Sequence, residues 1–322
     1  IVPVVLSTAT GYNSKFLNSG TIQNKGIEVS LSGTPVRSGD FSWDVNVNWS
    51  RNRNKVTQLF EGAENLVLGS FQAGVTLNAT LNQPYGTIRG SEYVYTNSAG
   101  QNASPDGTPF TKNEGQRTVG ANGRYLVSSN ANNIIGNVNP DWIGGINNTF
   151  KYKNVSLGFL VDTRQGGDLF SLDLFYGFGT GLYPETVGLN DLGNPSRSPV
   201  SAGGGIILPG VKADGTPNDI RRSNSEGTLG YRQPTGGFVY DASYTKLREA
   251  VLTYSLPSGM LNRIKPVKGV DLSLIGRNLW IIHKNLPYAD PEETISSGNL
   301  QGYQSGAYPT PRTFTFNVRL KF

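Results

Sequence analysis

Phe41, Trp43, Val45, Val47 and Trp49 take every second place in one stretch, with Ser42, Asp44, Asn46, Asn48 and Ser50 between them. Successive side chains of an extended strand point to opposite sides, so this alternation marks a strand with two unlike faces. The pattern recurs along the chain. Phe71, Ala73, Val75, Leu77, Ala79 and Leu81 alternate with Gln72, Gly74, Thr76, Asn78, Thr80 and Asn82. Val155, Leu157, Phe159 and Val161 alternate with small or polar partners, Leu160 being the exception. Ile27, Val29 and Leu31 flank Glu28 and Ser30, and Phe314, Phe316, Val318, Leu320 and Phe322 close the chain in the same rhythm.

Length narrows the choice of fold. The runs reach about 10 residues, against about 5–6 for a usual strand. Ten residues at ~3.3 Å, tilted ~45°, span about 23 Å, close to the ~25 Å apolar band of a membrane barrel. A β-sandwich also alternates, but with shorter strands and more even loops. No run of ~18 apolar residues occurs, so no membrane-crossing helix is expected.

The connections carry the same message. Residues 34–40, 82–85, 152–154 and 257–267 read as short links. Residues 54–70, 96–141, 166–240 and 283–311 read as long, polar, Gly/Asn/Ser-rich segments. Short and long links alternate, as periplasmic turns and extracellular loops do in outer-membrane barrels. Structureless loops of this length count against a compact soluble domain. With 34–40 on the periplasmic side, every short link falls there, and the last strand ends there too. Trp43, Trp49, Trp142, Tyr152, Tyr254 and Trp280 stand near strand ends, where interfacial aromatic girdles form. Two strands are irregular: Leu247 has the opposite parity to Leu252 and Tyr254, and Ile275 follows Leu274 directly. A bulge or an ordered loop portion accounts for either. The expectation is nine strands, or ten if 2–8 is one.

Composition removes other classes. The absence of cysteine excludes disulfides, thiolate catalysis and cysteine metal sites. One histidine, His283, makes a histidine-built zinc centre untenable. A net charge of +5, scattered along the chain, describes a solvated surface and not a nucleic-acid interface. No signal segment opens the chain, and Ile1 reads as a cut end.

Ordered stretches extend the argument. They are "NKGIEVSLSGTP" (24–35), "FSWDVNVNWSRNRNKV" (41–56), "GNVNPDWIGGINNTFKYKNVSLGFLVDTRQGGDLFS" (136–171) and "ADGTPND" (213–219). They continue with "VYDASYTKLREAVLTYSLP" (239–257), "LSLIGRNLWII" (272–282), "YADPEE" (288–293) and "GAYPTPRTFTFNVRLKF" (306–322). Together they resemble the C-terminal region of SusC/RagA-family TonB-dependent outer-membrane transporters of Bacteroidota. The resemblance covers essentially the whole chain. It implies an all-β fold: a transmembrane antiparallel β-barrel segment, part of a 22-stranded barrel, with long extracellular loops. It implies one unit over 1–322, with the plug, the TonB box and the N-terminal domains lying outside this sequence. It further implies an outer-membrane location, a SusD-like surface lipoprotein as lid, TonB acting through the missing N-terminal part, and a lipid bilayer around the wall. The last strand, with Phe314, Phe316, Val318, Leu320 and Phe322, resembles the C-terminal signal read by barrel-assembly machinery. Nine strands of a wide barrel leave two open edges, which lipid cannot satisfy, so other strands must complete it.

Individual residues sort as follows. Asp44, Asn46, Asn48, Asn78, Asn147, Asp162 and Arg164 are candidate lumen-facing groups, with Thr76, Thr80 and Asp271 beside them. His283, Asp290 and Glu292 are candidates for the extracellular rim. A rim protease would need His283 with Asp290, but no second supporting pair accompanies them. Asp214, Asn218 and Asp219 offer oxygen atoms for a loop calcium, although a Gly/Pro turn explains that segment equally. No other cofactor is expected. Gly203-Gly204-Gly205 lacks the Lys-Ser/Thr of a phosphate loop. The functional expectation is TonB-dependent import of bulky nutrients, oligosaccharides or peptides, and not enzymatic catalysis. The alternative is a SusC-like barrel kept as a scaffold subunit of an outer-membrane complex.

Overall fold

The computed structural model describes the chain apart from residues 1, 6, 18–19, 61, 225–232, 262–265, 295–297 and 299. Seven strands form the main sheet: β1 Gly20–Ser38, β2 Phe41–Leu59, β3 Trp142–Tyr152, β4 Val155–Gln165, β5 Tyr244–Ser255, β6 Gly269–Lys284 and β7 Thr313–Lys321. Their order across the sheet is their order in the chain, and every neighbouring pair is antiparallel. The outer edges of β1 and β7 meet no partner strand among the described residues. The sheet is therefore an arc of barrel wall.

Register turns the alternation into two surfaces. Val36, Trp43, Phe150, Leu157, Leu252, Leu274 and Phe316 form one row across all seven strands. One residue along, the row is Arg37, Ser42, Lys151, Ser156, Thr253, Ser273 and Asn317. An apolar row beside a polar one, on opposite faces, is what a wall between lipid and an aqueous lumen requires. Leu31, Leu157, Leu252, Leu274 and Phe316 are largely exposed, because no protein covers their side of the sheet. On the polar side the Thr253 and Ser273 hydroxyls are 2.9 Å apart.

A bulge resolves the parity break at Leu247. Val161 pairs with Leu247 while Leu160 pairs with Glu249, so Arg248 is an extra residue in β5. The bulge lets Leu247 and Ala250 both join the apolar face. Ile275 is not rescued in this way: it pairs with Val251 on the other face. Near the short-turn end, Phe41, Trp43 and Phe150 stack at centroid separations of 5.7–6.4 Å. The Trp43 indole Nε1 donates to Asn148 Oδ1 at 3.1 Å, which satisfies a polar residue set among apolar ones.

Residues 39–40, 153–154 and 256–268 link strands at one end, and residues 60–141, 166–243 and 285–312 link them at the other. Gly39 and Lys153 adopt the left-handed backbone (φ +54° and +49°) that two-residue hairpin turns favour. The end of β7 lies at the short-turn end, where Lys268 N–H donates to the Lys321 carbonyl at 2.7 Å.

Two expectations about strands need correction. The stretch 71–82 does not cross the wall. Its extended part, Thr76–Thr80, belongs to a separate four-stranded sheet with Asn65–Ser70, Tyr85–Gly90 and Asn133–Asn137. Residues 82–85 turn within that sheet, residues 54–59 extend β2, and 60–141 is one long connection. The alternation was real, but both faces of this strand are covered by protein. Val2–Val5 is a strand, yet it pairs with Ser14–Leu17 in its own hairpin. Residue 6, inside the expected 2–8 strand, lies outside the described residues. Tyr85–Gly90 leaves the wall together with Thr76–Thr80, so seven of the nine expected strands stand in it and the up-down parity of the rest is unchanged.

The main buried core lies among the long connections. Val75, Leu77 and Ile88 from the first pack with Leu169, Phe170, Leu172, Leu174 and Phe238 from the second, and with Leu286 and Tyr303 from the third. Burying each such side chain contributes about 1.5–3 kcal/mol. A small sheet of Val239–Asp241, Asp168–Ser171 and Tyr303–Gln304 ties the second connection to the third. Helix α1, Leu172–Thr180, starts where Ser171 Oγ accepts from Leu174 N–H and stops at left-handed Gly181. Gly302 (φ +78°) must be glycine, since a Cβ there would sit 2.3 Å from a Val138 methyl.

Candidate functional site

Asp44, Asn46, Asn48, Asn147 and Asp162 share the sheet face opposite the apolar rows, and Arg164 follows two places beyond Asp162. These residues hold one another. Ser30 Oγ donates to Asn48 Oδ1 at 2.7 Å, Asn48 Nδ2 to Asn46 Oδ1 at 2.9 Å, and Asn46 Nδ2 to Ser32 Oγ at 2.7 Å. Asp44 accepts from Thr34 at 2.7 Å and from Lys151 at 3.2 Å. Asp271 pairs with Lys321 at 2.9 Å. Asn78 is not on the wall. It is buried in the four-stranded sheet, donating to Thr76 Oγ1 at 2.8 Å and accepting from Asn65 at 3.0 Å, while Thr80 donates to Asn65.

The densest constellation stands where β5 meets the third long connection. Lys246 Nζ bonds Asp290 Oδ1 and Oδ2 at 2.5 and 2.6 Å and Glu292 Oε2 at 2.5 Å. Arg248 donates through Nε to Asp162 at 2.8 Å and through both terminal nitrogens to Glu292, the Nη1 contact being 2.6 Å. The Tyr244 hydroxyl donates to Glu292 Oε1 at 2.9 Å. The Lys246 and Asp290 side chains are only 5% and 9% exposed. A charge so buried must be paired, and here each carboxylate meets at least one cation. Burial alone would raise the Glu292 pKa, but hydrogen bonds from Arg248 and Lys246 outweigh it and bring it down to about 2. The bulge at Arg248 is what lets one strand aim both cations at the same loop.

Beside this latch is a cavity of about 390 Å³, lined by Lys246, Asp290, Lys284, Trp280, Tyr288 and Glu293 among others. Tyr288 stacks on Tyr183 at 4.6 Å and donates its hydroxyl to Glu185 at 2.5 Å, joining the second and third connections. His283 is exposed on β6 opposite Thr245. Asp290 is committed to Lys246 and is not free to orient an imidazole. The arrangement can grip and position a polar solute; it offers no base-activated nucleophile.

Asp290 and Glu292 were rim candidates from sequence, and the structure joins them to Lys246, Arg248 and Tyr244, which sequence reasoning passed over. The usable signal was the broken parity at Leu247, one residue from both cations. Asp214 accepts from Thr216 N–H and Oγ1 at 2.9 and 2.6 Å, Asp219 pairs with Lys212 at 3.2 Å, and Asn218 donates to the Leu208 carbonyl at 2.8 Å. No group of three His, Asp or Glu side chains placed to hold a metal occurs among the described residues.

No protein-family model matches the chain. It is 28% identical to TonB-dependent receptor P3 of Formosa agariphila, over 100% of this chain and 31% of that protein. It is 26% identical to TonB-dependent receptor SusC of Bacteroides thetaiotaomicron, over 99% of this chain and 28% of that protein. The chain is similar to the C-terminal third of TonB-dependent receptors, SusC among them. It spans under a third of the length of the relatives it matches. The fold of the RagAB peptide transporter superposes on this chain with a TM-score of 0.63 at 18% identity, over 99% of this chain and 31% of that one. The RagAB peptide importer in its "open-open" state gives 0.64 at 17% identity. These relatives are receptors and transporters, not enzymes. Phe314, Phe316, Val318 and Leu320 lie exposed on β7, with Phe316 and Val318 continuing the apolar rows of β6.

Proposed function

We propose that this chain supplies wall, rim and long loops to a TonB-dependent importer of bulky nutrients in the outer membrane. One observation carries the reading: an unbroken apolar row beside an unbroken polar row across seven strands, with three long connections folded together at one end. On this reading the apolar rows face lipid, the polar rows face the lumen, and the long connections are extracellular. The end of β7 is then periplasmic, and its Phe-rich face serves the barrel-assembly machinery. A SusD-like surface lipoprotein covers the long-connection end. TonB, driven by the proton-motive force, acts through parts of the protein outside this sequence.

The ligand class that fits is a polymer with polar groups along its length, an oligosaccharide or a peptide. Aromatic rings and both signs of charge line the cavity beside the latch, which suits stacking and hydrogen bonding together. The test is uptake of fluorescent oligosaccharides and peptides by cells expressing the full-length protein, with and without TonB and the neighbouring surface lipoprotein. TonB-dependent uptake of either class supports import. Stable assembly into an outer-membrane complex with no uptake of either would replace import with a scaffold role.

A further inference from the structure

The outward apolar rows of β1 and β2 stop at a sharp boundary. Val29 pairs with Trp49 in the last apolar row, and the next outward place on β2 is Arg51, opposite Ile27. Beyond it come Arg53 and Lys55, and β1 sets Lys25 directly opposite Arg53. All four cations are exposed. Arg53 pairs with Asp141 at 2.5 Å; among the described residues Lys25, Arg51 and Lys55 meet no acid. Asp141 answers Arg53 alone, so Lys25, Arg51 and Lys55 leave a stripe of positive charge that an anion can neutralise.

Geometry says which anion. The cations at 51, 53 and 55 climb the strand in steps of about 6.6 Å, so the three cover about 13 Å along it and about 9 Å along the barrel axis at a ~45° tilt. A headgroup layer is about 5–8 Å deep. The stripe begins where the apolar belt ends, and Lys and Arg can lay their stems along apolar surface while keeping the charge in the headgroups. We propose that Lys25, Arg51, Arg53 and Lys55 form a docking stripe for phosphate-bearing lipid headgroups at the long-connection side of the membrane. The inference rests on the reading of this sheet as a lipid-facing wall.

The experiment uses the full-length protein in nanodiscs of phosphatidylcholine, with or without lipid A. A nitroxide on Val45→Cys, within the apolar belt, reports lipid exposure separately. The expected result is lipid A retained through purification, weakened by salt, and reduced on the order of tenfold in the Lys25→Gln/Lys55→Gln variant. A Lys25→Glu/Lys55→Glu variant, also at exposed positions, should lose still more. Equal retention by wild type and variants overturns the proposal, as does equal retention of dephosphorylated lipid A. An acidic protein recovered on this stripe in place of lipid overturns it too. A nitroxide at 45 that is oxygen-inaccessible removes the lipid-facing wall itself, which is a different failure from lost headgroup binding.

Discussion

Lys246 Nζ, on β5, lies 2.5 Å from Oδ1 and 2.6 Å from Oδ2 of Asp290, which follows 44 residues later on a loop. Wall and rim are thereby joined by an ion pair almost wholly removed from solvent.

Truncating one partner should be far worse than replacing both. Lys246→Ala leaves buried Asp290 without its cation, while Glu292 keeps Arg248, and should weaken loop docking by about 3–5 kcal/mol. Lys246→Met with Asp290→Leu should recover much of that, because no charge is stranded. Hydrogen exchange over residues 285–294 in the assembled protein measures both. Equal loosening in the single and double variants would contradict the assignment.

Acid should open the same latch. Glu292 has a folded pKa of about 2, below its ordinary 4.5, so the undocked loop binds more protons than the docked one. The stabilisation is fully present above about pH 4.5 and is lost as pH falls through about 2. Proteolytic sensitivity of the loop should rise across that window in wild type. Glu292→Gln should be sensitive already at neutral pH, with no step near pH 2 from this group.

The two faces predict opposite tolerances. Leu252→Lys puts a charge on the apolar face, in the row near the short-turn interface, and should cost up to about 1 kcal/mol of assembly there. Thr253→Lys, one residue along on the polar face, should be mild. The fraction of folded, heat-modifiable barrel on a gel decides between them. Equal loss at both positions would reverse the assignment of faces.

Deleting Arg248 removes the bulge. Glu249 and Leu247 then alternate regularly against Leu160 and Val161, so Leu247 keeps the apolar face and Lys246 the polar one. Assembly yield should hold, and the loop should loosen as it does in Arg248→Ala, because both variants lose the guanidinium shared by Asp162 and Glu292; a collapse in the deletion alone would contradict this. In contrast, His283→Ala should leave uptake unchanged, because Asp290, the acid nearest it in sequence among the rim candidates, is committed to Lys246.

The wall was legible because its signal is local. Trp43, Val45 and Val47 declare their face by period alone, and the pairing of neighbours in chain order follows from short turns such as 39–40. The stretch around Asn78 misled for the same reason. Alternation reports that two faces differ, but not that Asn65, Thr76 and Thr80 will cover the polar one. The latch was only half legible: Asp290 and Glu292 stood out as loop acids, but their partners are 44 or more residues away and reach them through a bulge.

The strict meander has a consequence for how such a wall is made. Every wall contact joins consecutive strands, so the sheet can grow like a zip, one hairpin at a time, with β7 already carrying a template for Gly269–Arg277 of β6. The small sheet joining residues 168–171 to 303–304 cannot form until both sections of chain have been delivered. Such a protein reaches its span of the bilayer by short-range steps and closes its outer crown last, after the slow search between distant segments.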